Sequence, residues 1–131
     1  MDSIIGNELR KRLKDLSALE NKENTYCCRI FFDRAFRGFE GHFEGNPVVP
    51  GVCLIELIRV HAEEILQKEL IVKEIGQCKF RSPFLAGMEG ECITQIREAD
   101  GGIFSVQAEI RNDSGSACKM KLVLTERTAA R

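Results

Sequence analysis

Apolar positions recur along this chain with two periods. Over residues 7–19, Leu9, Leu13, Leu16 and Leu19 are spaced by four and three with Lys and Arg between them, which predicts an amphipathic helix. Residues 26–32 are rich in aromatic, β-branched and small side chains and predict a strand. A second helix is expected over residues 51–69. Its first half, Val52-Cys53-Leu54-Ile55-Glu56-Leu57-Ile58, is apolar nearly all round and predicts burial on every side. Its second half mixes charges with Val60, Ile65 and Leu66 and should approach solvent. Four further strands, over 71–80, 91–98, 102–111 and 116–125, follow from approximate period-2 alternation. Ala86-Gly87, Asp100-Gly101-Gly102 and Asn112-Asp113-Ser114-Gly115 mark the connections, and two of these read as hairpins.

One buried helix with about five mainly antiparallel strands is an α+β arrangement. The expected architecture is a hot-dog fold, a curved antiparallel sheet wrapped around a central helix, with an additional N-terminal helix. At 131 residues the chain suits one domain, read as an N-terminal helix over 1–20 and a core over 24–126. An open sheet leaves edge strands unpaired, and dimerisation covers them.

Composition removes several function classes. The net charge of −1 gives no nucleic-acid footprint. No apolar run approaches the ~20 residues of a membrane span. The first 13 residues carry no apolar signal core, and Arg10, Lys11 and Arg12 interrupt them, which points to a cytoplasmic protein. Six cysteines are present without a CxxC pair, and adjacent Cys27 and Cys28 project to opposite faces of a strand. They read as reduced, mostly buried thiols. The two histidines, His42 and His61, have no ligand spacing to a cysteine pair, so no metal site is expected.

The chemistry concentrates in Gly41-His42-Phe43-Glu44-Gly45-Asn46-Pro47-Val48-Val49-Pro50-Gly51-Val52, followed by Glu56. Pro47 and Pro50 stiffen the loop and the glycines give it backbone room, so His42 can be held as a general base. Glu56 has Leu54, Ile55, Leu57 and Ile58 around it in sequence. Desolvation by such neighbours would favour the protonated acid. Gly51 opens the helix, and with Val52 it is the candidate oxyanion and substrate-binding position, because first-turn N–H groups and the helix dipole favour negative charge. Glu56 lies ~7.5 Å further along the axis. His61 reads as a partly exposed or interface residue. Arg34, Arg37, Lys79 and Arg81 are the candidate contacts for an acidic carrier protein, with Lys79 and Arg81 on one strand face and Cys78 and Phe80 on the other.

His42-Phe43, Gly45, Pro47, Pro50-Gly51-Val52 and Glu56, with the Glu fourteen residues after the His, resemble the signature of the hot-dog 3-hydroxyacyl-[acyl-carrier-protein] dehydratases of type II fatty acid synthesis. Lys79-Phe80-Arg81-Ser82-Pro83 and Gly87 resemble a second segment of that family. The resemblance runs over about residues 26–125. It implies that His42 removes the α-proton of a (3R)-3-hydroxyacyl thioester, that Glu56 protonates the leaving hydroxyl, and that the Gly51 N–H polarises the carbonyl. It implies no cofactor beyond the phosphopantetheine that carries the substrate on acyl carrier protein. It also implies a site shared between subunits of a homodimer, a trimer of dimers, or a heterodimer with a related subunit. Glu56, where the dehydratase/isomerase branch has Asp, favours simple dehydration. The chain departs from the pattern at Glu44 and at Leu57-Ile58-Arg59-Val60, where small residues and a Gln are usual. The alternatives are a hot-dog acyl thioesterase and a non-catalytic subunit of a carrier-dependent complex.

Overall fold

The computed structural model of the protein describes residues 3–39 and 47–127. Two α-helices, one short 3-10 turn and six strands follow one another among these residues: α1 (Ile4–Arg12), β1 (Leu13–Ala18), β2 (Thr25–Phe31), the 3-10 turn Arg37–Phe39, α2 (Gly51–Leu66), β3 (Leu70–Phe80), β4 (Glu89–Asp100), β5 (Ile103–Asn112) and β6 (Gly115–Glu126). The strands form one sheet in the order β1-β2-β4-β5-β6-β3, and every neighbouring pair is antiparallel. This is the α+β hot-dog architecture expected from the pattern.

Alternation sets the inner face. On β5, Phe104, Val106, Ala108 and Ile110 are buried while Ser105 and Gln107 are exposed. On β6, Met120, Leu122 and Leu124 point inward while Lys119 and Lys121 point out. The α2 side chains Leu54, Leu57, Ile58 and Val60 pack into this face. Gly115 closes the β5–β6 hairpin at φ +107°, a left-handed conformation that other residues rarely adopt. Asn112 Oδ1 accepts from the Ser114 N–H at 2.8 Å in the same turn.

An aromatic cluster holds the two ends of the segment that joins the 3-10 turn to α2. Phe32 meets Phe36 and Phe84 edge-on, each at 5.0 Å between centroids, and Phe39 at 6.5 Å. At the α2 end of the segment, the Val49 N–H donates to Phe84 O at 2.8 Å, the Ala86 N–H donates to Pro47 O at 3.0 Å, and Val48 bridges to Leu85.

Two sequence expectations change. The helix predicted over 7–19 ends at Arg12, and Leu13–Ala18 forms an edge strand paired with β2. The four-three leucine spacing therefore belongs to two elements: Leu9 is fully buried under α1, whereas Leu16 is exposed. Pairing of Leu13 with Ile30 and of Ser17 with Cys27 satisfies the backbone in place of further helical turns, and Asp15 takes a left-handed φ of 55° in the bulge between them. Burial along α2 departs from the expectation at both ends, although Cys53, Leu54, Leu57 and Ile58 are buried as predicted. Val52 is 71% exposed near its start, while Arg59, Val60, His61, Ala62 and Glu63 are buried near its end. The later half lies under α1 and the sheet, so even its charged residues are enclosed. The helix stops at Gln67, whose left-handed backbone lets its N–H donate to Glu63 O at 2.7 Å.

Phe32→Ala empties the hub of the aromatic cluster. It is expected to destabilise the fold by about 3–5 kcal/mol, read from the urea midpoint followed by circular dichroism.

Candidate active site

Pro50 and Gly51 start α2. Pro50 is in the extended conformation with φ −60°, and its carbonyl accepts from the N–H groups of Cys53 at 2.9 Å and Leu54 at 3.3 Å. Gly51 opens into a cavity of about 410 Å³ lined mainly by apolar side chains, among them Val48, Val49, Leu54, Pro83 and Phe84. The Phe80 ring closes one wall. A Cβ on Gly51 would lie 2.8 Å from Phe80 Cζ, so glycine is what allows the ring to approach the helix start. Phe80 was expected on the face of β3 opposite Lys79; it is half exposed at the rim of this cavity.

Glu56 lies on a different side of the helix. Five residues at 100° each turn it about 140° from Gly51. It lines a second cavity of about 410 Å³ with Ser3, Arg59, Leu70, Ile71, Val72 and Arg127. Within one chain, Gly51 and Glu56 therefore face separate cavities. Glu56 is also not enclosed by its apolar sequence neighbours, since Leu54, Leu57 and Ile58 turn into the core while its own side chain is 36% exposed. Its near partner is a cation: Arg59 Nε donates to Glu56 Oε2 at 2.7 Å. Glu56 therefore meets solvent and a guanidinium in place of the apolar enclosure expected from its sequence neighbours.

Arg59 belongs to a longer charge network. Its Nη1 pairs with Glu63 Oε2 at 2.8 Å and donates to Leu70 O at 3.1 Å. Glu63 Oε2 also accepts from the Leu70 N–H at 2.7 Å, and Glu63 Oε1 pairs with Arg10 Nη2 at 2.6 Å. Arg10 reaches Glu64 as well. Burial of Glu63 is tolerable because its carboxylate meets two guanidinium groups, those of Arg59 and Arg10, and the Leu70 N–H. These residues were not singled out as functional from the sequence. The Glu-x-x-Arg-x-x-x-Glu spacing of positions 56, 59 and 63 is the signal that could have found them.

His42 and its neighbours Glu40 to Asn46, including Glu44, lie outside the described residues. His61, expected to be partly exposed, is fully buried, and its Nδ1 is 2.8 Å from Thr94 Oγ1. It is a core residue between α2 and β4. All six cysteines are free thiols. Donation from Cys92, opposed by burial and assisted by His61, lowers the Cys28 thiol to about 6, and the same bond, with burial, raises Cys92 well above its ordinary value. Burial, and then the nearby Cys78, push Cys118 up to about 12. Burial and then the Glu56 carboxylate raise Cys53. Among the described residues, no group of three His, Cys, Asp or Glu side chains is placed to hold a metal ion.

The four candidate carrier contacts separate into two sites. Lys79 and Arg81 line a cavity of about 520 Å³ on the outer face of the sheet with Lys22, Lys119, Lys121 and Glu109. Arg81 also borders the Gly51 cavity. Arg34 and Arg37 are exposed on the connection after β2, where the Arg37 N–H donates to Glu8 Oε1 of α1 at 3.3 Å.

A profile of the ApeI-like dehydratases, described as ApeI dehydratase, matches residues 18–119. The chain belongs to the ApeI-like dehydratase family. Curated relatives named 3-hydroxyacyl-[acyl-carrier-protein] dehydratase FabZ include one from Caldicellulosiruptor saccharolyticus, 33% identical over 84 residues, which cover 63% of this chain and 54% of the relative. Another from Polaromonas naphthalenivorans is 28% identical over 140 residues, covering 99% of this chain and 88% of the relative. The first of these matches thus spans about half the length of the relative. Among solved structures, the dehydratase heterocomplex ApeI:P from Xenorhabdus doucetiae superposes with a TM-score of 0.67 at 18% identity, covering 87% of this chain and 96% of that one. A hypothetical thioesterase with coenzyme A from Streptococcus pneumoniae superposes with a TM-score of 0.64 at 8% identity, covering 97% of both chains. At these identities the superpositions establish the hot-dog fold alone. Arg59 and Val60, two of the positions where the chain departs from the dehydratase pattern, are both buried. No helix of the described residues is long and apolar enough to cross a membrane.

Glu63 and Glu56, two carboxylates of this network, should differ sharply in what they hold together. Glu63→Ala is expected to cost about 3–5 kcal/mol, since it leaves Arg59 without its buried counter-charge. Glu56→Gln, at a partly exposed pair, is expected to cost less than about 1 kcal/mol. Urea denaturation of the two variants beside wild type checks both values.

Proposed function

We propose that the protein is a dehydratase that removes water from a (3R)-3-hydroxyacyl thioester carried on acyl carrier protein, giving the trans-2-enoyl thioester. The observation that carries this reading is the profile match over residues 18–119 of a chain that has both His42 and Glu56. The geometry around α2 supports it: an apolar cavity at the Gly51 end and a carboxylate on the exposed flank of the same helix.

The reaction assigned to these groups is a β-elimination. His42 takes the α-proton, and the C–H electron pair forms the new double bond as the 3-hydroxyl departs. Glu56, entering as the acid, gives that hydroxyl its proton and water leaves. The Gly51 N–H receives the charge that builds on the thioester oxygen in between. In the reverse direction the Glu56 carboxylate takes a proton from water as it adds to the enoyl group.

The site is completed by a second copy of the chain, with His42 from one subunit and Glu56 from the other. The separation of the Gly51 and Glu56 cavities within one chain supports this composite arrangement. So do the exposed apolar side chains beside them: Val52 on α2, and Ile71, Ile75 and Phe80 on the edge strand β3. Acyl carrier protein docks through Lys79 and Arg81 at the rim of the Gly51 cavity and the outer sheet face, with Arg34 and Arg37 as a separate contact. The working compartment is the cytoplasm, and no cofactor is required.

A thioesterase is the second reading. The Arg59–Glu56 pair favours it, since a carboxylate beside a fixed cation can act as a base toward water.

Hydration of a trans-2-enoyl thioester by the purified protein separates these readings. Loss of enoyl absorbance is expected without release of free thiol, and His42→Ala and Glu56→Gln should each slow it at least ~100-fold. Thiol release would identify a thioesterase, and no reaction on carrier-bound or coenzyme A substrates of several chain lengths would remove both.

Co-expression of the two inactive variants tests the shared site. Random pairing makes half of the dimers mixed, each with one intact site, so about a quarter of wild-type activity should return. No recovery in a verified mixed dimer would place His42 and Glu56 of each site in one chain.

A further inference from the structure

We propose that Arg59 is a positioning residue for Glu56, and that Glu63 and Arg10 hold it in place. The inference rests on the reading of Glu56 as the acid–base group and adds to it the device that aims the carboxylate.

A Glu–Arg pair three residues apart on a helix surface is ordinarily weak, because both side chains must give up rotamers to meet. Arg59 is different because its guanidinium is already fixed. Its side chain is only 9% exposed, and Nη1 is held by Glu63 Oε2 and Leu70 O at 2.8 and 3.1 Å. Glu63 is in turn held by the Leu70 N–H from the start of β3 and by Arg10 from α1, at 2.7 and 2.6 Å. Three elements therefore set the direction of the Arg59 Nε–H bond before Glu56 is considered. That donor meets Glu56 Oε2 at 2.7 Å, so one carboxylate oxygen is pinned on a residue that lines the second cavity.

The consequence is a division of labour along α2. Glu63 is a structural counter-charge, Glu56 is the exchanging group, and Arg59 transmits the rigidity of the first to the second. A carboxylate that must pass a proton to or from a small group gains from such preorganisation, since a wandering rotamer loses productive geometry. Arg59 touches no reacting atom in this scheme and acts through Glu56.

The test is a double-mutant cycle on hydration of the enoyl thioester, with kcat, KM and melting temperature measured for wild type, Arg59→Lys, Arg59→Met, Glu56→Gln and Glu56→Gln/Arg59→Lys. Lysine keeps a cation opposite Glu63 but lacks the forked donor set that serves Glu56 and Glu63 together. Arg59→Lys therefore keeps the test informative if Arg59→Met fails to fold. Arg59→Lys is expected to lower kcat about tenfold, with KM within about twofold of wild type and little change in melting temperature. In the Glu56→Gln background the same substitution should cost nothing further, because the group it positions is gone. An Arg59→Lys enzyme with wild-type kcat, or an equal tenfold loss in both backgrounds, overturns the positioning role while leaving the proposed dehydratase intact. Wild-type activity in Glu56→Gln, or an inactive wild type, overturns the role of Glu56 and the inference with it.

Discussion

Covering α2 is the constraint on which the rest of this structure depends. A helix whose sequence reads apolar over most of its circumference has to be enclosed on more than one side, and a flat sheet can cover only one. The six-stranded sheet meets the requirement with the inward side chains of several strands, from Phe104 and Val106 on β5 to Leu122 and Leu124 on β6. The helix α1 and the Phe32 cluster close further sides. What remains open is the stripe through Val52, Ile55 and Glu56.

That stripe is where the chemistry is assigned, and the helix geometry decides how. A rotation of 100° per residue puts Gly51 and Glu56 on sides too far apart to face one cavity, although only five positions separate them in sequence. The Gly51 end looks into an apolar cavity walled by Phe80, and Glu56 looks toward Ser3, Arg127 and the start of β3. A fixed helix start and a fixed carboxylate on one rigid element suit a site assembled from two copies. Gly51 and Glu56 are both carried on secondary structure, which holds them more accurately than a loop would.

Charge is handled by the same enclosure. The end of α2 buries Arg59 and Glu63, whose desolvation would be costly in isolation. Arg10 from α1 and the Leu70 N–H from β3 make the burial tolerable. The N-terminal helix is therefore part of the electrostatic support of α2 as well as a cover for its core. The ApeI-like dehydratase scaffold here carries bulky and charged side chains at Arg59 and Val60 without loss of the fold. The guanidinium meets Glu56 and Glu63 on α2 and the Leu70 carbonyl on β3, and Val60 is fully enclosed.

The sequence by itself determined the period-2 strands, the two hairpins with their glycines, the start of α2 after Pro50, and the family to which the chain belongs. Each of these is local: a side chain alternates or a turn residue fits whatever lies further along the chain. Tertiary structure decided the rest. Leu13–Ala18 is a strand because β2 offers a free edge, which the leucine spacing cannot report. His61 and Glu63 are buried because α1 and β4 lie against them, although their neighbours in sequence are charged. Glu56 is paired with Arg59 and not enclosed by Leu54, Leu57 and Ile58, because those three turn into the core on the other face of the helix. A one-dimensional pattern shows which residues share a face, but the environment of that face depends on what the chain folds against it.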